Sequence, residues 1–250
     1  MDTKIKGLVI GETKLGDNKK YIRVLTDEIG LISVIVYGAT GSKSRHLAAV
    51  RPFTYSSFVL TQKRDSYTLK EAEIIKSFFA LGADPKILAL ASYIVSAAGY
   101  VSAHGDDMSA LLSLTLNSLY ALAESKKPHN LVKAAFERKC AAVIGFAPAL
   151  IACARCGGEI SGGAYLHIYD GDTVCENCKN KGKLNEYEVT FKLTPSVVAA
   201  MRYIEYSDIK KIFSFTVPDG EMNLLSEVCE KFLTAHIETA FPALKVYKSL

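Results

Sequence analysis

Histidine is scarce in this 250-residue chain, and the five present (His46, His104, His129, His167 and His236) cluster with no acid or nucleophile at a usable spacing. Gly-x-Ser-x-Gly, His-Glu-x-x-His and the dinucleotide glycine fingerprint are all missing, which removes the recognisable signatures of serine-hydrolase, zinc-peptidase and dinucleotide-dependent chemistry. A phosphate-loop reading of Gly38-Ala39-Thr40-Gly41-Ser42-Lys43-Ser44 fails on register, because the motif requires glycine at the positions of Ser42 and Tyr37. No catalytic residue is assigned, and an enzyme is not expected. Long apolar runs are absent as well. Ile87 to Ala103 has no Asp, Glu, Lys or Arg, yet Ser92, Tyr93, Ser96, Gly99, Tyr100 and Ser102 dilute it below what a bilayer core favours. The apolar stretch after Lys4 and Lys6 is too short for a signal peptide, so a reducing, cytoplasmic setting without membrane contact is expected.

Six cysteines are present, and four of them fall into two Cys-x-x-Cys pairs, Cys153/Cys156 and Cys175/Cys178, with eighteen residues between the pairs. This is a zinc-site spacing. Four thiolates leave no open coordination position, so one Zn²⁺ per chain is expected as a structural staple and not as an activator of water. A redox dithiol is the alternative, but it would require only one pair. Gly157, Gly158, Gly162, Gly163 and Gly171 give the connecting loop the turns that a metal knuckle and its hairpin require. His167 falls inside this loop and is a possible substitute ligand. Cys140 and Cys229 lie on apolar helical stripes and read as small buried hydrophobes.

Charge is mild overall, at +4, but uneven, with 13 basic and 8 acidic residues in positions 1–80 and 11 basic and 13 acidic in 153–250. A basic N-terminal third suggests a polyanionic partner for that segment. Stretches 4–14, 19–26, 29–38, 53–61 and 66–77 are short, rich in Val, Ile, Tyr, Phe and Thr, and separated by turn signals, which predicts five strands closing into a small barrel. Alternation along the second strand puts Lys19, Tyr21 and Arg23 on one face and Lys20, Ile22 and Val24 on the other. Charge mixed with an aromatic ring can hold phosphates and stack bases; an ordinary solvated face is the plainer reading.

Helices are predicted at 85–103, 107–124 and 129–145, the third amphipathic with Phe136, Cys140 and Val143 on one stripe and Lys133 and Arg138 off it. Another follows the cap Thr194-Pro195, a shorter element spans Asp208 to Phe213, and a long helix after Asp219 carries Leu225, Cys229, Phe232 and His236 on one face, before a tail from Phe241 to Leu250. The expected architecture is α+β, with a barrel at 1–80 and an all-helical body at 81–250 into which a zinc lobe is inserted at about 150–190.

The order of parts resembles the RecO family of DNA recombination and repair mediators over essentially the whole chain. The resemblance is carried by Gly38-Ala39 with Lys43-Ser44, Arg51-Pro52-Phe53, Ala91-Ser92-Tyr93, Phe136-Glu137, Gly145-Phe146-Ala147-Pro148 before the cysteine pairs, and Leu233-x-x-His236-x-Glu238 near the end. It implies an N-terminal OB-fold that binds single- and double-stranded DNA, annealing of complementary strands, engagement of RecR and of the acidic tail of single-stranded DNA-binding protein, and help in loading RecA. It also implies DNA contacts at Lys43, Arg45 and Arg51, to which the strand-face reading adds Lys19, Tyr21 and Arg23. Two departures stand out: Lys19-Lys20 is basic where relatives often carry an acid, and Ala135 stands where many are basic, leaving Lys133 and Arg138 as substitutes in a tail-binding pocket. A zinc-ribbon adaptor that meets an acidic protein and no nucleic acid is the competing reading.

Overall fold

The computed structural model describes residues 2–16, 18–38, 46–63, 66–102, 108–125, 127–179 and 189–250. Five strands, β1 (Asp2–Lys14), β2 (Lys19–Thr26), β3 (Leu31–Tyr37), β4 (Thr54–Lys63) and β5 (Ser66–Ser77), close into a barrel in the order β1-β2-β3-β5-β4. Each strand lies within two residues of its predicted limits. The first half of β1 pairs with β4 and the second half with β2, while a parallel link from Val34 to Tyr67 joins β3 to β5. One strand can serve two neighbours only if it bends, and a register shift between Val9 and Gly11 supplies the bend. Gly7 lies just before it, where a Cβ would sit 2.4 Å from Val24 Cγ1 and 2.9 Å from the Leu25 carbonyl oxygen. Inside are Ile5, Val9, Ile22, Val24, Ile32, Val34, Phe58 and Leu60, the inward half of each period-two pattern, and Val50 closes the interior from the β3–β4 connection. This is the five-stranded OB-fold arrangement.

A 3-10 turn (Phe79–Ala83) leads from β5 into α1 (Pro85–Val101), which is followed by α2 (Ser109–Ala123). Pro85 occupies the first turn of α1 and the Asp84 carboxylate accepts from the Lys86 and Ile87 amides, at 2.7 and 3.2 Å. Nine of the 17 residues of α1 are buried, which fits the near-absence of charge in this stretch. Then comes α3 (His129–Val143), expected to be amphipathic but enclosed on all sides: Lys133, Glu137 and Arg138 are 2%, 0% and 1% exposed. The helix tolerates this because its charges pair internally. Lys133 Nζ lies 3.0 Å from Glu137 and 2.8 Å from Glu230, and Arg138 pairs with Glu205.

A small sheet in the order β7-β6-β8 follows, made of β6 (Ala164–His167), β7 (Thr173–Cys175) and β8 (Thr190–Leu193), with the single turn α4 (Glu176–Lys179) after β7. Two further helices, α5 (Pro195–Tyr206) and α6 (Met222–Ile237), pack on α3. Residues 208–213, expected to form a short element, make turns in which Asp208 accepts from the Lys210 amide at 2.8 Å and Ile212 and Phe213 are buried. The final stretch, expected to be a tail, is helix α7 (Pro242–Ser249); Pro242 starts it, Leu244 and Tyr247 bury one side, and it packs on α1. Phe241 meets Tyr93 edge-on at 5.3 Å, and Lys86 Nζ stands 5.6 Å over the Tyr247 ring.

Compactness divides the chain elsewhere than the change from strand to helix near residue 80: one unit comprises 1–124 with 241–250, the other 125–240. Among the described residues no helix is long and apolar enough to cross a membrane.

Candidate nucleic-acid interface and metal centre

On β2 the alternation holds side chain by side chain: Ile22 and Val24 are in the barrel core and Arg23 is exposed. Register sets Lys19 opposite Tyr37 and Tyr21 opposite Ile35 across the β2–β3 ladder. Lys19 Nζ consequently stands 5.7 Å from the Tyr21 ring centre and 5.6 Å from that of Tyr37, so two aromatic faces hold one ammonium. Tyr37, a residue 61% exposed, was not picked out from the sequence; its place opposite Lys19 becomes visible only once the hairpin register is known. Lys20 takes the other face, is buried, and is neutralised by Glu12 at 2.7 Å. Arg23 extends from the same face as Lys19 and Tyr21 toward Gly99 of α1, where its Nη2 lies 3.6 Å from the position a Cβ would take.

Arg51 is exposed but belongs to different surroundings, a groove lined by Glu12, Pro52, Ile74 and Phe79 among others. Lys43 and Arg45 lie outside the described residues. Lys133 and Arg138 cannot serve as an exposed basic pocket: both are buried and paired with carboxylates in the second unit.

The four cysteines of the two pairs come together, all their sulfurs within 4.8 Å of one another. A tetrahedral ion bound at about 2.3 Å by each sulfur would set neighbouring sulfurs about 3.8 Å apart, so a small contraction brings this set to metal-binding geometry. Each knuckle is built by its own backbone. Gly157, at φ 69°, donates to the Cys153 carbonyl at 2.8 Å, the Cys153 amide donates to Gly158 O at 2.8 Å, and the Cys175 amide points at Cys153 Sγ, 3.4 Å away. Arg155 Nη1 ties the first knuckle to the second by donating to Cys178 O at 3.2 Å. Burial raises the Cys153 thiol, but the amides of Cys175, Cys156 and Arg155 outweigh it and bring the pKa down to about 6. Hydrogen bonding to the Cys156 and Cys175 sulfurs pushes Cys178 up to about 12. Four thiols packed this closely cannot all give up their protons without a cation among them, and a divalent ion at the centre would supply it. His167 is buried in β6 beside Thr190 and is not one of the clustered ligands. Cys140 and Cys229 are wholly buried, and burial raises both thiols to about 12, as inert packing residues require.

Arg202 of α5 fastens the lobe to the helices, donating through Nη2 to Leu150 O and Ile160 O, each at 2.6 Å. The turn between β6 and β7 rests against α6, where Gly171 leaves only 3.7 Å between a notional Cβ and the Phe232 ring.

Fold and site together define an OB-barrel protein with a charged, aromatic strand face and a four-sulfur knuckle. "Recombination protein O N terminal" matches residues 1–78 and "Recombination protein O C terminal" residues 82–245; the chain belongs to the recombination protein O family. Proteins named DNA repair protein RecO are similar to it over nearly their whole length. That of Acetivibrio thermocellus is 28% identical, covering 99% of this chain and 96% of its own, and that of Alkaliphilus metalliredigens is 26% identical, covering 99% of each. The Bacillus pumilus protein is 29% identical over 92% of this chain and 87% of its own.

Proposed function

We propose that this chain is a non-enzymatic DNA-repair protein of the cytoplasm that binds single- and double-stranded DNA through its barrel, anneals complementary strands and helps to load RecA. In this reading it acts with RecR on strands coated by single-stranded DNA-binding protein and engages that protein's acidic tail. The observation that carries it is the strand face on which Lys19 lies between Tyr21 and Tyr37, with Arg23 further along, on the β2–β3 surface that OB-folds use for oligonucleotides. Cations there replace the counterions condensed on phosphates, and the rings offer stacking surfaces to unpaired bases. Exchange of one coat for another then follows from competition for phosphates, with a separate contact to the coating protein keeping the displacing complex on the strand. Lys43, Arg45 and Arg51 add cations from the connection after β3. The four cysteines hold one structural Zn²⁺; the ion closes the knuckle and takes no part in the handling of DNA.

The test is fluorescence anisotropy with an unstructured oligonucleotide across a salt series, for the parent, for Lys19→Ala with Tyr21→Ala and Arg23→Ala, and for Lys43→Ala with Arg45→Ala and Arg51→Ala. Affinity falls steeply with salt in the parent and is reduced in both variants. A parent that ignores oligonucleotides in dilute buffer, while binding an acidic protein tail, makes the chain an adaptor instead.

A further inference from the structure

A second depression opens on the first unit, one strand away from the β2–β3 face. Its volume is about 510 Å³, and Arg51 and Pro52 from the connection, Ile74 and Ser77 from β5, Glu12 from β1 and Phe79 line it. Three local departures from regular structure converge there. Phe53 holds φ at 63°, a conformation rare for a bulky side chain, fixed by its amide donating to Val9 O at 2.9 Å and its carbonyl accepting from the Phe78 amide at 3.0 Å. β5 is bulged: Tyr55 pairs with Lys76 but Ser56 with Ile74, which leaves Ile75 unpaired. Consecutive strand residues ordinarily face opposite sides, yet Ile74 and Ile75 are 43% and 48% exposed together. Immediately after the strand, Phe78 is buried whereas Phe79 is 81% exposed. Folding alone gives no account of this, because a phenyl ring gains free energy by burial.

The charges select the ligand. Glu12 is neutralised by Lys20 at 2.7 Å, and among the described residues no carboxylate pairs with Arg51. What remains is a flat aromatic surface and an aliphatic wall beside one uncompensated guanidinium.

We infer that this groove receives one unstacked nucleobase of a single strand, with Phe79 stacking on the base and Arg51 meeting its phosphate. The inference rests on the DNA-binding reading and goes beyond it: a duplex keeps its bases stacked and cannot fill the groove, so Phe79 contributes to single-strand binding alone.

The experiment uses the full chain and three labelled probes: an oligothymidylate, an abasic oligonucleotide of the same length, and a duplex. Phe79→Ala weakens oligothymidylate binding about 10-fold, the scale of one lost base–aromatic stack, and leaves abasic and duplex binding and the melting temperature unchanged; Phe79→Tyr restores the parent's affinity. A 2-aminopurine base placed in the strand changes its emission on binding the parent, and less so on binding Phe79→Ala. If Phe79→Ala keeps the parent's preference for thymidylate over the abasic strand, or weakens all three probes equally, the groove is not a base site. Should Phe79→Ala spare the oligothymidylate and abolish binding of an acidic peptide with an aromatic end, it is a peptide site. A parent that binds none of the three probes overturns the DNA-binding reading itself, a result separate from any effect of Phe79→Ala.

Discussion

Replacing Lys133 by Met tests whether the second unit is held by a buried charge cluster. Lys133 Nζ lies 3.0 Å from Glu137 and 2.8 Å from Glu230, and it also donates to Ser226 O at 3.2 Å. The Glu137 side chain is 0% exposed and that of Glu230 13%. Met fills nearly the same volume, so the variant removes the charge without opening a cavity and takes the ammonium away from both carboxylates, of which Glu137 is fully buried. Breaking a buried pair from one side costs about 3–5 kcal/mol, and at about 3–4 °C per kcal/mol for a unit of this size the unfolding midpoint should fall by about 10–20 °C. Adding Glu137→Gln removes the buried carboxylate charge that Lys133 faces on α3 and recovers part of the loss. pH supplies a second readout. In the parent, burial alone would lower the Lys133 pKa, but Glu137 and Glu230 outweigh it and raise it above 10.5; the stability it contributes is complete below that value and is lost as pH climbs through the higher folded pKa. The assay is urea and thermal unfolding of the full chain, followed at the second unit by hydrogen exchange of α3 and α6. A Met variant within about 1 kcal/mol of the parent, or a double variant no more stable than the single one, refutes the reasoning.

Gly99→Ala sets a Cβ 2.5 Å from Ile10 Cδ1; overpacking of this kind costs about 1–3 kcal/mol, and Ile10→Val, which removes that methyl group, restores stability in the double variant as measured by urea unfolding. On the proposed DNA-binding reading, Lys19→Ala with Arg23→Ala should lower the slope of log affinity against log salt by about 1.4 for a single strand, the loss expected for two phosphate contacts, read by anisotropy. Chelation removes one metal equivalent per chain, lowers the unfolding midpoint of the second unit and exposes residues 149–179 to protease. Oligonucleotide affinity of the barrel should change less than twofold, because all four sulfurs belong to the second unit.

The barrel was legible in the sequence because its strands are half-buried, so inside and outside alternate residue by residue, as Lys19 to Val24 illustrate. The cysteine cluster was legible because the donor set is local in sequence. Helix α7 was not: eight residues form no stable helix alone, and what holds this one is Tyr247 and Leu244 packed in its own unit, a tertiary effect. The burial of Lys133, Glu137 and Arg138 was equally hidden, because charge on one side of a helical wheel means solvent unless partners arrive from elsewhere in the chain. Those partners are Glu205 and Glu230, 67 and 97 residues beyond the cations that they neutralise. Phe79 escaped for the converse reason, as a phenylalanine beside Phe78 reads as core until a bulge and a 3-10 turn direct the two rings apart.

The buried cations also explain why the metal lobe matters beyond its own residues. Leu150 and Ile160, on either side of its first cysteine pair, are both held by the single guanidinium of Arg202 on α5, and its β6–β7 turn lies against Phe232 on α6. α5 carries Glu205, which neutralises Arg138, and α6 carries Glu230, which neutralises Lys133. The helices braced by the lobe are therefore the ones that bring compensating charge to α3. Were the knuckle to open, the cost would not stop at a lost loop, because any shift of α5 or α6 separates an almost fully buried cation from its carboxylate. An ion held by these four sulfurs would in this way set the stability of a helical unit whose interior it does not enter.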